Sequence, residues 1–375
     1  MTDRRILNSE EVASAAHHLA DVLVESGSVN SAEWYAAVSQ TPRHAFVPQF
    51  YWADPDTGRV QPMAEGDPRW LGLAYSDQPL VTQFDGTSAA NEGTPTSSST
   101  APSLMLRMLE ALDVHDGHRA LEIGTGTGYN AALLAHRLGG ANVTTIDVDP
   151  VLTALAAQRL AEVGIHVHVV TGDGVDGHDA GGPYDRIIAT CAVRRIPPAW
   201  LAQLAPGGLV MATVETSFHG YGLALVGADG QGTGVGKFLP VDASFMPMRS
   251  DVAPPFTELR AAAAPSHNGA RPTAIRFGDL QSNAARFSLG LTMPDVATFG
   301  ITTAQGPGLY IGHLEDRSWA ELHPNGTVSH GGDQDLWAEV EAGHRAWVAA
   351  QRPEPDRYNL EIAPDGATIV TVQEP

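Results

Sequence analysis

The chain has 375 residues, enough for more than one domain, and its 43% hydrophobic and 17% charged residues are typical of a globular enzyme. The formal net charge of −21 argues against a nucleic-acid partner, because binding phosphates requires a basic surface. No apolar run can span a bilayer, no secretory h-region is present and the single cysteine, Cys191, excludes an intrachain disulfide, so we expect a cytoplasmic protein without a membrane partner.

Two helices are expected at the N-terminus. Residues 9–40 show the helical spacing of apolar side chains, and Asn8 or Ser9 is a plausible N-cap of the first helix. Asn30 is expected to start the second helix, because Glu33 stands at capping-box spacing from it.

An insertion-like stretch follows at about 49–74, and it is rich in Trp, Pro and Gly. This composition favours a structured surface loop with little regular structure. Together with the two helices it forms the first of three predicted segments, an N-terminal helical cap at residues 1–75.

Residues 82–103 are rich in Ser, Thr and Gly. Taken alone, such a run is a flexible linker more often than a site. Here it leads directly into a predicted helix at 102–112, and hydroxyls just before a helix N-terminus form a natural anion site. We therefore favour a site over a linker, with the hydroxyl candidates Ser97, Ser98, Ser99 and Thr100.

The centre of the sequence is the stretch 120–130, ALEIGTGTGYN. A short apolar run enters a loop with Gly124, Gly126 and Gly128, and a helical pattern and a second apolar run ending at Asp147 follow. Glycine lets a ligand approach the backbone closely, and a helix N-terminus offers free N–H groups. An acid about twenty residues further on can hold a ribose diol. The pattern predicts a βαβ unit that binds an adenosine-type cofactor, and the alternative is a tight loop without a ligand.

Further motifs follow in the order that a doubly wound sheet requires. A turn at Gly172-Asp173-Gly174 comes after the apolar run 167–170. The sequence PYDRIIAT at 183–190 predicts the fourth strand, and LAPGGLVMATV at 204–214 predicts a turn entering the fifth. Residues 221–249 alternate around Asp229-Gly230, which predicts a β-hairpin that completes the sheet. Together these elements form the second predicted segment, at 76–250.

The last predicted segment is an α+β accessory domain at 251–375. A stretch rich in Ala and Pro at 251–271 marks its start, and strand-like pieces turn at Asn325-Gly326 and Asp365-Gly366. Residues 334–351 predict an amphipathic helix. Its expected inward-facing residues are Leu336, Val340, Trp347 and Val348. The histidines of this segment are scattered and lack metal-ligand spacing, so we expect no metal site.

The glycine spacing, G-x-G-x-G with Glu122 two residues ahead, resembles motif I of the S-adenosylmethionine (SAM)-dependent methyltransferases. The resemblance implies an α/β class I fold, a Rossmann-like doubly wound sheet, with SAM as cofactor and S-adenosyl-L-homocysteine as product. It implies that Glu122 and Asp147 hold the amino and ribose groups of SAM and that Asp173 contacts the adenine. The full set of implied cofactor residues is Ser97, Glu122, Gly124, Thr125, Gly126, Gly128, Asp147, Asp173 and Gly174.

Two N-terminal motifs narrow the resemblance. TPRHAFVP at 41–48 and YSDQPL at 75–80 resemble the signatures of the protein-L-isoaspartate O-methyltransferases. Where that family carries T-I-S-x-P, this chain has Ser98, Ser99 and Thr100, with Thr100 in place of the family's serine. The resemblance implies that these three residues orient the substrate carboxylate. The implied substrate contacts are Asp77, Val193, Arg194, Arg195 and Ile196.

Arg194 and Arg195 follow the predicted fourth strand, at the edge where open parallel sheets bind ligands. They are either solvated surface charges or partners for a peptide, since arginine pairs bidentately with carboxylates. The sequence leaves both interpretations open.

Several stretches resemble one branch more closely, the methyltransferases that accompany ATP-grasp ligases in graspetide biosynthesis. They are RHAFVPQFYW, YSDQPLVTQ, SSSTAPS, EIGTGTGYNAALLA, ATCAVRRIPPAWL and FMPMR, together with the C-terminal extension. This resemblance implies methylation of an Asp side chain in a ligase-cyclised ribosomal peptide, followed by loss of methanol to give an aspartimide. The implied partners are that peptide and the ATP-grasp ligase of the same pathway.

Other functions are also compatible with the sequence. One is a general repair methyltransferase for isoaspartyl residues in damaged proteins. A small-molecule O-methyltransferase is weakened by the peptide-site signatures, and nicotinamide-dependent reduction would need a longer glycine spacing. A non-catalytic module that binds the peptide or the ligase is a different class, and the intact glycine loop with its three acids argues against it.

Overall fold

The computed structural model describes residues 8–54, 57–85, 93–228, 233–263, 265 and 268–373. The helices of this part of the chain are α1 Ser9–Glu25, α2 Ala32–Gln40, α3 Arg43–Phe46, α4 Trp70–Ala74, α5 Pro102–Ala111, α6 Tyr129–Leu138, α7 Pro150–Glu162, α8 Pro198–Ala202, α9 Phe256–Ala262, α10 Asn283–Thr292 and α11 Leu336–Ala349. Its strands are β1 Gln49–Ala53, β2 Val60–Ala64, β3 Leu80–Phe84, β4 Pro95–Ser99, β5 Ala120–Ile123, β6 Val143–Asp147, β7 His168–Thr171, β8 Tyr184–Val193, β9 Leu204–Glu215, β10 Tyr221–Ala228, β11 Gly234–Leu239, β12 Asn268–Pro272, β13 Val296–Thr303, β14 Gly306–His313, β15 Trp319–Leu322, β16 Thr327–Gly331, β17 Tyr358–Ile362 and β18 Thr368–Val372. None of the described helices is long and apolar enough to cross a lipid bilayer.

The described residues fall into two compact units. Unit one lies within Met1–Cys191, Ala199–Met211 and Gly227–Gly232, and unit two lies within Ala192–Pro198, Ala212–Val226 and Thr233–Pro375. The units interleave along the chain, whereas the sequence predicts three consecutive segments. One physical reason is that β17 pairs antiparallel with β11, which joins C-terminal residues to earlier strands in unit two. The boundaries near 75 and 250 stay a prediction about sequence modules.

The N-terminal helices of unit one begin close to the predicted positions. Asn8 caps α1, as expected. The N-cap of α2 is Ser31 rather than Asn30, because the Ser31 hydroxyl accepts the N–H of Trp34 at 3.3 Å. The N–H of Asn30 donates to the Glu110 carboxylate at 2.7 Å instead. The prediction of Asn30 as the cap is therefore wrong by one residue.

The expectation of little regular structure at 49–74 is also wrong. β1 and β2 form an antiparallel pair, and with β3 and β4 they make a sheet in the order β2-β1-β3-β4. Phe50 and Met63 stand opposite each other in this pair, and both are fully buried. Their burial stabilises the pair, because apolar cross-strand neighbours are the main unit of sheet stability.

The parallel part of unit one has the strand order β8-β5-β6-β7. All four residues of β5 are buried, as expected for a parallel strand that is covered on both faces. Helix α6 connects β5 to β6, and α7 connects β6 to β7. This arrangement confirms the predicted α/β fold with βαβ units. Because parallel strands end at one edge, the loops after β5, β6 and β7 lie together there.

Unit two contains a strand series in the order β18-β17-β11, with antiparallel pairing. A second antiparallel sheet has the order β12-β16-β15-β14-β13. Phe218, Ile311 and Trp337 belong to the buried cluster of this unit. The helices and strands of residues 251–373 give the predicted α+β character. The Asp229-Gly230 turn that was expected between β10 and β11 lies outside the described residues.

Helix α11 confirms the predicted helix at 334–351 with one correction. Leu336, Val340 and Trp347 are buried, but Val348 is 39% exposed. The inward-facing prediction for Val348 is wrong, because it stands one position, about 100° around the helix, from Trp347.

Candidate active site

The glycine loop between β5 and α6 has a backbone that only glycine adopts readily. The φ angles of Gly124, Gly126 and Gly128 are +97°, +50° and +88°, in the left-handed region that disfavours side chains. A Cβ on Gly124 would lie 2.7 Å from the Thr190 hydroxyl oxygen, which is closer than real Cβ contacts. That hydroxyl donates to the carbonyl oxygen of Gly124 at 2.6 Å. The loop is therefore held against β8 and leaves its outer face free of side chains at these glycines.

Glu122, the third residue of β5, is buried below the loop with 1% of its surface exposed. The Asn130 amide donates to its Oε1 at 2.7 Å, and the Thr145 hydroxyl donates to its Oε2 at 2.7 Å. Thr125 is linked to the same network through the Thr145 hydroxyl at 2.7 Å. Burial raises the pKa of Glu122 to about 7, although these hydrogen bonds act in the opposite direction. Glu122 fixes the start of the loop, and its implied contact with the SAM amino group stays a prediction.

Asp147 and Asp173 stand at the ends of the next two parallel strands. Asp147 Oδ2 accepts the N–H of Gly126 at 3.0 Å, which places this carboxylate directly beside the glycine loop. Asp173 is exposed after β7, and its Oδ1 accepts the N–H of Val175 at 3.0 Å. The neighbouring Gly174 is buried, and its carbonyl accepts the Trp200 indole N–H at 2.8 Å. These acids therefore line the strand edge at which α/β sheets bind nucleosides.

Ser97, Ser98 and Ser99 of the hydroxyl row lie in β4 rather than in a linker, and Thr100 follows the strand. Pairing of β4 with β3 sets Ser98 opposite Val81 and Ser99 opposite Leu80. The linker alternative is therefore wrong for residues 95–99, while residues 86–92 lie outside the described residues. Because side chains alternate along a strand, Ser97 and Ser99 are buried on one face.

This row packs against the glycine loop. A Cβ placed on Gly126 would lie 3.7 Å from the Ser97 hydroxyl oxygen and 3.7 Å from the Ser98 carbonyl oxygen. Ser98 and Thr100 are half-buried, and within the described chain their hydroxyls have no hydrogen-bond partner. The structure thus brings Ser97 and the backbone of Ser98 next to the glycine loop. The hydroxyls of Ser98 and Thr100 stay without a partner among the described residues.

Arg43 is a residue of this region that the sequence did not single out. Its side chain is fully buried, and its Nη1 donates to the carbonyl oxygens of Ala74 at 3.0 Å and Ser76 at 2.6 Å. Its Nη2 donates to the carbonyl oxygens of Gln78 at 3.0 Å and Thr100 at 3.3 Å. Burial lowers its pKa to about 10, so the guanidinium remains charged at neutral pH. Arg43 belongs to the motif PRHAFVP, which was the available signal, but nothing in the motif indicates which member is buried.

Asp77 lies in the segment that Arg43 holds. Its Oδ1 accepts the backbone N–H of Ser103 at 2.8 Å, near the N-terminus of α5. A carboxylate at this position stabilises the helix through the free N–H groups and the helix dipole. Asp77 thus binds a free N–H in the first turn of α5, whose N-cap is Ala101. Its implied substrate contact stays a prediction.

The other implied substrate residues belong to unit two. Val193 and Ile196 are buried, and Arg195 is exposed. Arg194 is half-buried, and its Nη2 donates to the carbonyl oxygens of Pro294 at 3.0 Å and Val296 at 3.3 Å. Arg194 therefore has a structural role that neither alternative from the sequence included. Its implied role toward a peptide stays a prediction, as does that of Arg195.

Comparison with known proteins identifies relatives of this chain in one methyltransferase family. A family model described as Protein-L-isoaspartate(D-aspartate) O-methyltransferase (PCMT) matches residues 14–233. The chain is 32% identical over 228 residues to a protein-L-isoaspartate O-methyltransferase of Ignicoccus hospitalis, an alignment that covers 60% of this chain and 93% of that relative. It is 41% identical over 161 residues to one of Anaeromyxobacter dehalogenans, covering 42% of this chain and 71% of the relative. A solved structure of a protein-L-isoaspartate O-methyltransferase is similar with a TM-score of 0.58 and 21% identity, covering 96% of this chain and 100% of that one, which shows a shared fold.

Proposed function

Because the chain belongs to the protein-L-isoaspartate(D-aspartate) O-methyltransferase family, we propose that it methylates an Asp side chain in a ribosomal peptide cyclised by an ATP-grasp ligase. The general activity of the family is SAM-dependent O-methylation of a carboxyl group. The observation that carries the proposal is the hydroxyl row beside the glycine loop, in which Ser98 and Thr100 have no hydrogen-bond partner within the described chain.

The residues around the glycine loop fit SAM. Gly124 and Gly126 leave a cradle that side chains would fill, and Asp147 lies beside it. We assign Asp147 to the ribose hydroxyls, Asp173 to the adenine and Glu122 to the amino group of SAM. When bound, SAM supplies an electrophilic methyl group on a sulfonium centre.

The substrate carboxylate needs no general base. An aspartyl carboxylate has an ordinary pKa of about 4 and is ionised at neutral pH. The role of the protein is then to place its oxygen in line with the methyl group, and such positioning can supply much of the rate. Ser98 and Thr100 would orient the carboxylate with neutral donors. Ser99 is buried on the other face of β4, and it stays a candidate that its alanine variant tests. A tight arginine clamp would reduce its nucleophilicity, and the Arg43 guanidinium is already occupied by carbonyl oxygens.

The methyl ester explains the second step of the proposal. The neighbouring backbone amide nitrogen attacks the ester carbonyl carbon, and the C–O bond to the methoxy group breaks. The amide proton leaves with methoxide as methanol, and the ring that remains is an aspartimide. No oxidant, reductant or metal is needed for this balance.

The part of the chain beyond the family match supports the proposal that the substrate is a ligase-cyclised peptide. The family model ends at residue 233, and 93% of the Ignicoccus relative is covered by 60% of this chain. We propose that residues 234–375 serve recognition of the cyclised peptide and, in the same pathway, of its ATP-grasp ligase. A cytoplasmic location belongs to the same proposal, in line with a single cysteine and no disulfide.

A second candidate is general repair of isoaspartyl residues, and the names of the relatives favour it. Mass spectrometry after incubation with SAM distinguishes the two functions. The substrates are a ligase-cyclised peptide, its linear form and a linear isoaspartyl peptide, each with an Asp→Asn control. The proposal expects a methyl ester, and then loss of methanol, in the cyclised peptide alone. Equal or faster methylation of the linear isoaspartyl peptide would establish the repair function instead.

A further inference from the structure

A cavity of about 230 Å³ lies within the described residues of unit two. Its walls come from the end of β8, the end of β9 with the turn after it, residues 247–253 and the start of β13. Apolar side chains form much of the wall, among them Val193, Val252, Val296 and Phe299. We call this cavity the unit-two pocket. It contains none of the residues assigned to SAM.

One side of the pocket is an ion pair with fixed geometry. His219 Nδ1 lies 2.6 Å from Glu215 Oε1, and its Nε2 lies 3.1 Å from the carbonyl oxygen of Thr298. A carbonyl oxygen only accepts, and a carboxylate oxygen accepts when ionised, so both ring nitrogens donate and the imidazole is cationic. The hydrogen bond to Glu215 raises the pKa of His219. His219 also has a φ of +57°, which is uncommon for a residue with a side chain.

The carboxylates of the pocket retain acceptor capacity. Glu215 Oε1 takes both His219 and the Tyr221 hydroxyl, the latter at 3.1 Å, and its Oε2 has no partner among the described residues. Asp251 Oδ2 accepts the backbone N–H of Arg194 at 3.0 Å, and no described group donates to its Oδ1. Glu215 is only 14% exposed in its side chain, so an added N–H donor would be partly shielded from water.

The charges of the pocket balance. Glu215 and Asp251 carry two negative charges, and His219 and Arg194 carry two positive charges. A pocket with this balance does not select a free anion or cation. Its walls favour an apolar group, while the two free carboxylate oxygens favour neutral N–H donors next to that group.

We propose that the unit-two pocket binds one apolar or aromatic side chain of the peptide substrate, with the adjacent backbone N–H groups donating to Glu215 and Asp251. This inference rests on the proposed function for its occupant. Size supports a single side chain, because sites for whole small-molecule ligands measure roughly 300–1,000 Å³. A peptide backbone supplies neutral N–H donors on both sides of such a side chain.

Two substitutions are designed to block the pocket, and a third, at an exposed residue outside the pocket, serves as the control. Val252→Asp puts a charge on a wall residue that is 62% exposed, and Ala253→Trp fills the space beside it. Val235→Asp is the control, because Val235 is 59% exposed on β11 and does not line the pocket. Val252 and Val235 are exposed, so their variants are expected to fold. Ala253 is partly buried, and thermal unfolding checks the folding of all three variants.

Binding is tested first with probes that cannot be methylated. They are acetyl-Gly-Phe-Gly-amide and acetyl-Gly-Ser-Gly-amide, observed by saturation-transfer NMR with the full chain. We expect transfer to the Phe probe with the wild type and with Val235→Asp, and a loss of about tenfold in affinity in the two pocket variants. No transfer from the wild type to the Phe probe, or equal transfer in all variants, would overturn the proposal.

A second measurement tests the occupant. In methylation of an acceptor peptide that contains Phe, Val252→Asp should raise KM about tenfold and leave kcat within about twofold. The same peptide with Ser in place of Phe should show no such change. An unchanged KM for the Phe peptide would overturn the assignment to the substrate. If the wild type methylates no peptide at all, the proposed function fails, while the probe experiment still decides the pocket.

Discussion

The Nη2 atom of Arg43 lies 3.3 Å from the carbonyl oxygen of Thr100, the last residue of the hydroxyl row. The other hydrogen bonds of this guanidinium go to carbonyl oxygens of the segment 74–78. One buried side chain therefore ties two separate stretches of the family signature together. We infer that Arg43 positions the hydroxyl row without contacting the substrate.

Arg43→Lys tests this positioning role. Lysine keeps the charge but lacks the planar fork of donors that reaches both stretches. The substitution should lower kcat between about tenfold and a hundredfold, because small misplacement of reacting groups is costly, and leave SAM affinity within about twofold. Kinetics and calorimetry measure the two effects. The control is Arg69→Lys, at an exposed arginine paired with Asp67, and equal kcat in both variants would contradict the role.

Gly124→Ala should disrupt the cofactor loop. The new Cβ would stand 2.7 Å from the Thr190 hydroxyl oxygen at a φ of +97°, and such strain costs about 1–3 kcal/mol. The affinity for SAM should therefore decrease, because the loop cannot relieve this strain without breaking its hydrogen bonds to β8. Gly72→Ala is the matched control, because nothing lies within 4 Å of its Cβ position in α4. Calorimetric binding of SAM to Gly124→Ala at wild-type affinity would argue against the loop as the cofactor site.

The hydroxyl row should affect turnover more than cofactor binding. Ser98→Ala and Thr100→Ala each remove a half-buried hydroxyl without an internal partner, so kcat should fall by about tenfold or more while SAM affinity is retained. Ser99→Ala shows whether the buried hydroxyl contributes. Thr302→Ala, on the exposed part of β13, is the control. Wild-type turnover in the double variant of Ser98 and Thr100 would remove the row from the mechanism.

Glu122 should give the fold a measurable pH dependence. Its pKa is near 7 in the folded state and 4.5 ordinarily, so the folded state holds a proton that the unfolded state has released between these values. The free energy of unfolding should therefore decrease as pH rises through this window. In the wild type, this group should lower the free energy of unfolding by an amount on the order of 2–3 kcal/mol between about pH 5 and about pH 8. In Glu122→Gln this contribution should be absent. Urea denaturation at both pH values measures it, with the exposed Glu33→Gln as control, and an unchanged slope in Glu122→Gln would contradict the assignment.

The sequence predicts the parts of this structure that depend on local rules. Gly124, Gly126 and Gly128 indicate the loop because positive φ angles favour glycine, and Asp147 follows at the distance that one helix requires. The strand pair of 49–64 was missed because its stability comes from burial of Phe50 against Met63, which no local pattern shows. The position of the N-cap of α2 also depends on a residue that is distant in sequence, because the N–H of Asn30 donates to the Glu110 carboxylate.

The sequence also predicts part of the candidate site, namely the residues that belong to local motifs. The hydroxyl row was found from its position before a helix and from the family signature, and the structure places it beside Gly126. The burial of Arg43 could not be predicted, because its acceptors are backbone carbonyls and leave no mark in the sequence. Arg194 is similar, since its partners Pro294 and Val296 are about a hundred residues further along the chain.

Transfer of a methyl group from SAM to an Asp side chain can be followed with an isotopic label. The full chain is incubated with SAM carrying an isotopic methyl label and with the ligase-cyclised peptide, and the product is analysed by mass spectrometry before and after mild alkali. We expect one labelled, alkali-labile methyl ester on an Asp side chain, which is lost as labelled methanol when the aspartimide forms. Label that is absent from both the peptide and the released methanol, or label that survives alkali on any other group, would contradict methylation of an Asp side chain.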